Sequence, residues 1–373
     1  MILIRPRDSP WYTCELRRMK RKLIRLYHIA KEKMSEFHWN KYKEFNRKYH
    51  ECLNQAEANY RQNMCDSLNE QRNTKGWWRT VKHILGRGND QNYPSMLNEN
   101  NQQYVTSSKD KAVLFNNYFL SHSSIDDSDA NLPDNNIGIH IDNKLENITI
   151  TEQEVSDIIC SLDVHKSTGH DGISARLLKE ARLEITPSLT TLYNFCLANN
   201  RFPNEWKKSN VLPLFKNGTK DICSNYRPVS ILPVISKIFE RIVFKHVYNF
   251  FHRHKLITCH QSGFRPNDST VNQLAYLYHI FCEAIDIKKD IRIVFCDISK
   301  AFDRVWHKGL LYKLSTLGIN GNLLSFFSNY LSGRQQRVII KGQCSPWGRI
   351  KVGVPQGSVL GPLLVWLLLL RVI

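Results

Sequence analysis

The sequence predicts an α/β (α+β) fold preceded by a basic helical region, and three observations carry that reading. An apolar, β-rich run, Ile293-Val294-Phe295, leads into Asp297 and then into Ser299 to Trp306, which reads as a helix start with Ser299 as N-cap. From Thr151 onward, stretches with apolar residues at helical spacing alternate with short strand-like runs. The chain has 373 residues, 42% of them apolar, enough for a sizeable core and two or three domains.

Composition narrows the partners. Lys plus Arg number 52 against 34 Asp plus Glu, a net charge of +18, which points to a polyanion, nucleic acid ahead of an anionic membrane surface. Ten cysteines are scattered with no C-x-x-C pair, and there is no H-E-x-x-H. That argues against a zinc site or a disulfide framework and for a reducing, intracellular setting. The charged N-terminus lacks an apolar signal core, and the Leu363–Leu370 run falls well short of the roughly 20 residues that span a bilayer. Neither secretion nor a membrane partner is expected, and nothing indicates a stable protein partner.

Residues 1–85 are basic, aromatic and poor in helix breakers. Leu16, Leu23, Leu26, Tyr27 and Ala30 recur at helical spacing, as do Phe37, Tyr42, Phe45 and Tyr49, so one or two long amphipathic helices are predicted. The cluster Arg17 to Lys22 reads as a phosphate grip, a nuclear address or a solvated helix face. The spacing does not hold a strict heptad, against a coiled-coil scaffold. Trp77-Trp78 is expected to pack a helix. Residues 86–147 are rich in Asn, Asp, Ser and Gly and read as a polar linker with a short helix near Asp110–Leu120.

A compact domain is predicted over 148–373. Thr151 with Glu154 forms a capping box, and Val155, Ile158, Ile159 and Leu162 supply the apolar face behind it. Ser167 to Ile173 is a glycine-bracketed turn before a helix at Ala175–Ala181, and another helix is expected at Thr186–Ala198. Ser209–Lys216 is strand-like, and Pro213 within it suggests an edge strand. In Asn225-Tyr226-Arg227-Pro228 the proline holds Arg227 extended, so its guanidinium can project from a strand. Helices follow at Leu232–Phe251 and Thr270–Asp286, with the Arg265-bearing loop Ser262–Pro266 between them. Beyond Asp297 come a helix at Leu323–Leu331 and strands at Arg334–Ile340 and Trp347–Val352. Gly353 to Pro362 is a Gly/Pro loop around Gln356. It reads either as a plain turn or as a rigid surface that a flat ligand can approach closely. An acid at a strand's carboxyl end sits where ligands of α/β sheets gather, although a lone Asp there also simply caps a strand.

Asp297-Ile298-Ser299-Lys300-Ala301-Phe302-Asp303 together with Gly353-Val354-Pro355-Gln356-Gly357-Ser358 resembles the reverse transcriptase of non-LTR (LINE-type, jockey-like) retrotransposons. Four further segments agree in order: Lys166 to Gly172, Val211 to Lys216, Asn225 to Ser230, and Gly263-Phe264-Arg265. The likeness is strong over 151–362. Residues 1–120 resemble, more loosely, the segment that joins endonuclease to polymerase in these elements. The resemblance implies the fingers and partial palm of a right-hand polymerase that copies an RNA template onto a DNA primer from dNTPs, with two Mg²⁺. It implies that Asp297 and the backbone carbonyl of Ile298 bind metal and that the Phe302 ring lies under the incoming sugar, excluding a 2′-hydroxyl. Arg227 and Lys216 would hold the triphosphate. Gln356 would line the nucleotide pocket, and Arg265 and Gly357 would meet the template. Asp303 would orient the helix start.

One departure stands out. No Tyr-Ala-Asp-Asp or Phe-Ala-Asp-Asp occurs, and one carboxylate cannot hold two Mg²⁺ against their mutual repulsion. The expectation is a truncated polymerase fragment, inactive as written; the alternative is a non-catalytic RNA-binding remnant. Residence in nucleus and cytoplasm is expected from what retroelements need.

Overall fold

The computed structural model describes residues 11–70, 93–99, 102–124, 132, 143–258 and 260–369. Trp77-Trp78, the turn at 86–90 and most of 121–143 lie outside the described residues. The chain divides into two compact units, Met1–Asn92 and Tyr93–Ile373.

The first unit is an antiparallel helical hairpin of α1 (Cys14–Lys33) and α2 (Glu36–Glu70). Thr13 caps α1, its hydroxyl accepting from the Leu16 N–H at 3.3 Å. Met34 in the left-handed conformation (φ 47°) ends it. The apolar spacing closes the pair: Leu16, Ala30 and Tyr49 are buried, and Tyr27 meets Trp39 edge-on at 6.1 Å and Tyr42 at a tilt at 5.6 Å.

The second unit opens with a hairpin, β1 (Met96–Asn98) and β2 (Gln103–Val105), and then α3 (Ser108–His122). The helix expected near 110–120 is there, yet it is no linker element. Ala112, Phe115 and Phe119 make a buried stripe that packs, with Tyr93 and Met96, on Val211, Tyr226, Val338 and Ile340. Next come α4 (Glu152–Cys160), α5 (Ala175–Glu180) and α6 (Arg182–Ala198). The Thr151–Glu154 capping box forms as the sequence indicated.

Strands β3 (Lys208–Phe215) and β4 (Tyr226–Ile231) pair antiparallel, from Asn210↔Ile231 to Phe215↔Tyr226. Helices α7 (Val234–Arg253), α8 (Thr270–Asp286), α9 (His307–Thr316) and α10 (Gly321–Leu331) follow. Then come β5 (Gln335–Ile340), β6 (Gln343–Cys344), β7 (Gly348–Arg349) and α11 (Leu360–Leu369). The sheet runs β4-β3-β5-β6, with β7 on β5; the β3–β5 pair is parallel. β3 is therefore central rather than an edge. Its pairing with β5 stops at Val211, so Pro213 sits past the stretch where a missing N–H would break a ladder. The main core lies among the helices, where Tyr193 stacks on Phe239 at 4.6 Å and Phe202 meets Tyr330 edge-on at 5.0 Å.

Two further expectations are corrected. Residues 291–298 form no strand; all are exposed, Val294 by 84% and Phe295 by 87%. β propensity is expressed on a pleated neighbour, and among the described residues no strand pairs with this segment. Nor does a helix start at Ser299: Lys300 is left-handed (φ 54°), 299–304 is a turn, and α9 begins only at His307. α8 forms where predicted but buries no residue, leaving Val271, Tyr278 and Ile285 each at least 70% exposed.

Candidate functional site

The turn at 299–305 and the Gly353–Gly361 loop are built against each other. Lys300 closes the turn by accepting from the Asp303 N–H at 2.9 Å. The carbonyls of Phe302 and Val305 then point outward and accept from the N–H groups of Val354 (2.8 Å) and Gly353 (2.9 Å). Had a helix begun at Ser299, these carbonyls would have turned toward its own amides. Gly353 has φ 89°, and a Cβ there would stand 2.6 Å from the Asp303 oxygen, so only glycine fits. On the other side, the Ser230 N–H of β4 donates to the Gln356 carbonyl at 2.7 Å. Gly357 (φ 128°) lies so close that a Cβ would strike the Ser230 carbonyl.

The Gln356 side chain is held too. Its Nε2 donates to both carboxylate oxygens of Asp303, at 3.1 and 3.2 Å. Burial pushes the Asp303 pKa above the ordinary carboxylate value, against the Gln356 hydrogen bond and the charges of Lys300, His122 and Arg304. Burial, with Arg304, lowers the Lys300 pKa, and its ammonium donates to the Tyr118 hydroxyl at 3.2 Å. Asp303 thus fixes an amide; it does not orient a helix start. The cleft between Pro228, Ser230, Asp303, Val354 and Gln356 encloses about 20 Å³, room for a water and not for a nucleotide.

A second support comes from beneath. Glu240 of α7 is fully buried, and its Oε2 accepts from the amides of Val359 (2.7 Å) and Leu360 (3.2 Å) where α11 begins. Its Oε1 accepts from the Ser236 hydroxyl at 3.2 Å. Sequence reasoning missed this residue. The available signal was one acid at position 240 inside the apolar stripe Ile238, Phe239, Ile242 and Val243.

The expected site residues divide. Phe302 packs on the core with the Phe264 ring edge-on at 6.4 Å, while Gln356 and Gly357 lie in the braced loop. Arg265 lines a small hollow with Phe264, Tyr248 and Trp366. Arg227 and Lys216 are exposed at the ends of β4 and β3. On the pleat Arg227 faces away from its neighbour Pro228, which lines the cleft. Asp297 and Ile298 lie in the exposed segment and do not line the cleft. Among the described residues no group of three His, Cys, Asp or Glu could hold a metal ion, and no helix is long and apolar enough to cross a membrane.

The site is thus a glycine loop locked to an acidic turn beside a mixed sheet flanked by helices. Residues 207–373 match the family described as "Reverse transcriptase (RNA-dependent DNA polymerase)". The chain is 35% identical over 216 residues to the "RNA-directed DNA polymerase from mobile element jockey" of Drosophila melanogaster, covering 58% of this chain and 24% of that protein. A jockey polymerase of Drosophila funebris is 27% identical over 362 residues, 95% of this chain and 39% of the relative. The "Retrovirus-related Pol polyprotein from type-1 retrotransposable element R1" of Bradysia coprophila is 27% identical over 217 residues, 56% of this chain and 20% of the relative. Residues 207–373 form a reverse transcriptase domain, and its relatives are polymerases of non-LTR, LINE-type elements. It spans about a quarter of the length of the jockey polymerase of Drosophila melanogaster.

Proposed function

We propose that residues 148–373 supply fingers and palm elements of an RNA-directed DNA polymerase, taking RNA template, DNA primer and dNTPs. The observation that carries this reading is the bracing of Gln356, whose carbonyl is tied to β4 and whose side chain is tied to Asp303. A fixed amide beside a glycine without a Cβ suits close approach by a flat base and its backbone. Phe302 supports the incoming sugar and excludes a 2′-hydroxyl. Arg265 and Gly357 contact the template, while Arg227 and Lys216 receive the triphosphate.

Reverse transcriptases generally use a divalent metal, usually Mg²⁺, which stabilises the attacking 3′-oxygen and the leaving pyrophosphate. The residues described here do not fit a two-ion site. Asp297, beside the carbonyl of Ile298, is a lone exposed carboxylate, and both oxygens of Asp303 face Gln356. In this reading the described residues bind and orient a template–primer and do not by themselves join nucleotides.

Fluorescence anisotropy on labelled poly(rA)/oligo(dT), followed by primer extension with Mg²⁺ and dTTP, tests both halves. Gln356→Ala and Arg265→Gln are expected to weaken retention of the hybrid; retention unchanged in both variants overturns the template-handling role. Template-dependent dTMP incorporation by the purified chain overturns the claim of an incomplete metal set.

A further inference from the structure

Helix α1 carries its charge asymmetrically. Between Cys14 and Lys33 it has eight Lys and Arg residues, and its acids, Glu15 and Glu32, sit in the first and last turns. Arg18, Arg21 and Arg25 follow one another at i, i+3 and i+7, so they share one face. All three are exposed, and among the described residues none has a hydrogen-bond or ion-pair partner. Lys22 differs, with its ammonium over the Phe45 ring at 4.9 Å. Helix α2 has no such stripe: Lys41, Lys43, Arg47 and Lys48 are interleaved with Glu44 and Glu51.

The geometry points to a binding site on this face for the phosphate backbone of a double-stranded nucleic acid. Seven residues of α helix span about 10 Å. One strand of a duplex presents a phosphate roughly every 3.4 Å of axis, so three phosphates fall within that length. Guanidinium forks are the favoured partners for such oxygens.

Two competing ligands fit less well. A membrane would need the apolar face of α1, yet Leu16 and Ala30 are buried. A single strand would need free aromatic faces to stack on, yet Tyr27, Trp39 and Tyr42 pack against one another at 5.6 to 6.1 Å. This inference concerns the first compact unit and does not rest on the polymerase reading.

The test measures affinity of the full chain for a 20-bp DNA duplex and a 20-bp RNA duplex over a salt series. Replacing Arg18, Arg21 and Arg25 together by Gln should lower the slope of log K against log salt by about 2.7 on DNA, at about 0.9 per phosphate contact. Affinity lost between about 50 and about 200 mM salt should then shrink by roughly forty-fold. The duplex that shows the larger effect identifies the ligand. The same charge change on α2, Lys41→Gln with Arg47→Gln and Lys48→Gln, should move the slope by less than about 1; an equal drop would mean diffuse attraction and overturn the site.

An unchanged slope on both duplexes overturns it, as does a larger effect on oligo(dT) or on phosphatidylserine vesicles than on either duplex. Should the triple Gln variant lose helicity, the triple Arg→Lys variant still decides: the slope should persist while affinity at fixed salt falls, and a lost slope refutes the stripe. If Gln356→Ala weakens hybrid binding while the α1 variant changes nothing, this inference fails alone and the polymerase reading stands.

Discussion

Glu240 sets the strongest expectation for a single substitution. Its carboxylate is fully buried and accepts from Val359, Leu360 and Ser236. Glu240→Ala strands two backbone N–H groups in a dry core, at about 1–3 kcal/mol each. The deleted side chain also leaves a void worth about 1–2 kcal/mol. The sum, about 3–8 kcal/mol, is comparable to the whole stability of an ordinary domain. Glu240→Gln keeps the shape and one acceptor oxygen for the two amides, while its NH₂ can donate to Ser236. Only the charge at the start of α11 is lost, about 1–2 kcal/mol. Urea titration should therefore rank wild type above Gln and Gln well above Ala, and hydrogen exchange at 353–361 should accelerate in the same order. An Ala variant within about 0.5 kcal/mol of the Gln variant, with the loop amides still protected, would refute the clamp.

Three more outcomes follow from the site. Gly357→Ala forces a side chain into a positive-φ position against the Ser230 carbonyl; a cost of about 2–4 kcal/mol and a lower melting temperature are expected. Asp303 has its native pKa raised by burial, so the stabilisation it gives is complete in acid, below the unfolded value, and is lost as the pH rises through the native value. Asp303→Asn cannot ionise yet still accepts from Gln356, so the variant should melt higher than wild type at pH 7 and alike at pH 3. Asp297→Ala removes an exposed side chain without a partner among the described residues, and its unfolding free energy should change by less than about 0.5 kcal/mol.

The helices were readable because their signals are local. Thr151 and Glu154 announce α4 within four residues, and Ser269 caps α8 at the predicted boundary. The site was readable only as a set of segments, because what joins them spans 53 residues from Asp303 to Gln356 and 119 from Glu240 to Val359. No periodicity reports a contact at that separation. Ser299 shows local and distant preferences in conflict. The residue is a good N-cap, but a helix there would take the Phe302 and Val305 carbonyls that Val354 and Gly353 require, and the loop's two amides prevail.

The segment 291–298 failed for the opposite reason. Its β-branched and aromatic residues are as strand-like as those of β5, but β5 lies between β3 and β6 whereas 291–298 touches no ladder among the described residues. A strand gains its stability from the neighbour that satisfies its amides and covers one face. Phe295 at 87% exposure and Val294 at 84% have neither. Among the described residues nothing pairs with the segment before Asp297, so nothing there fixes its conformation. A metal ligand needs a fixed position, so Asp297 can serve as one only once such a pairing exists.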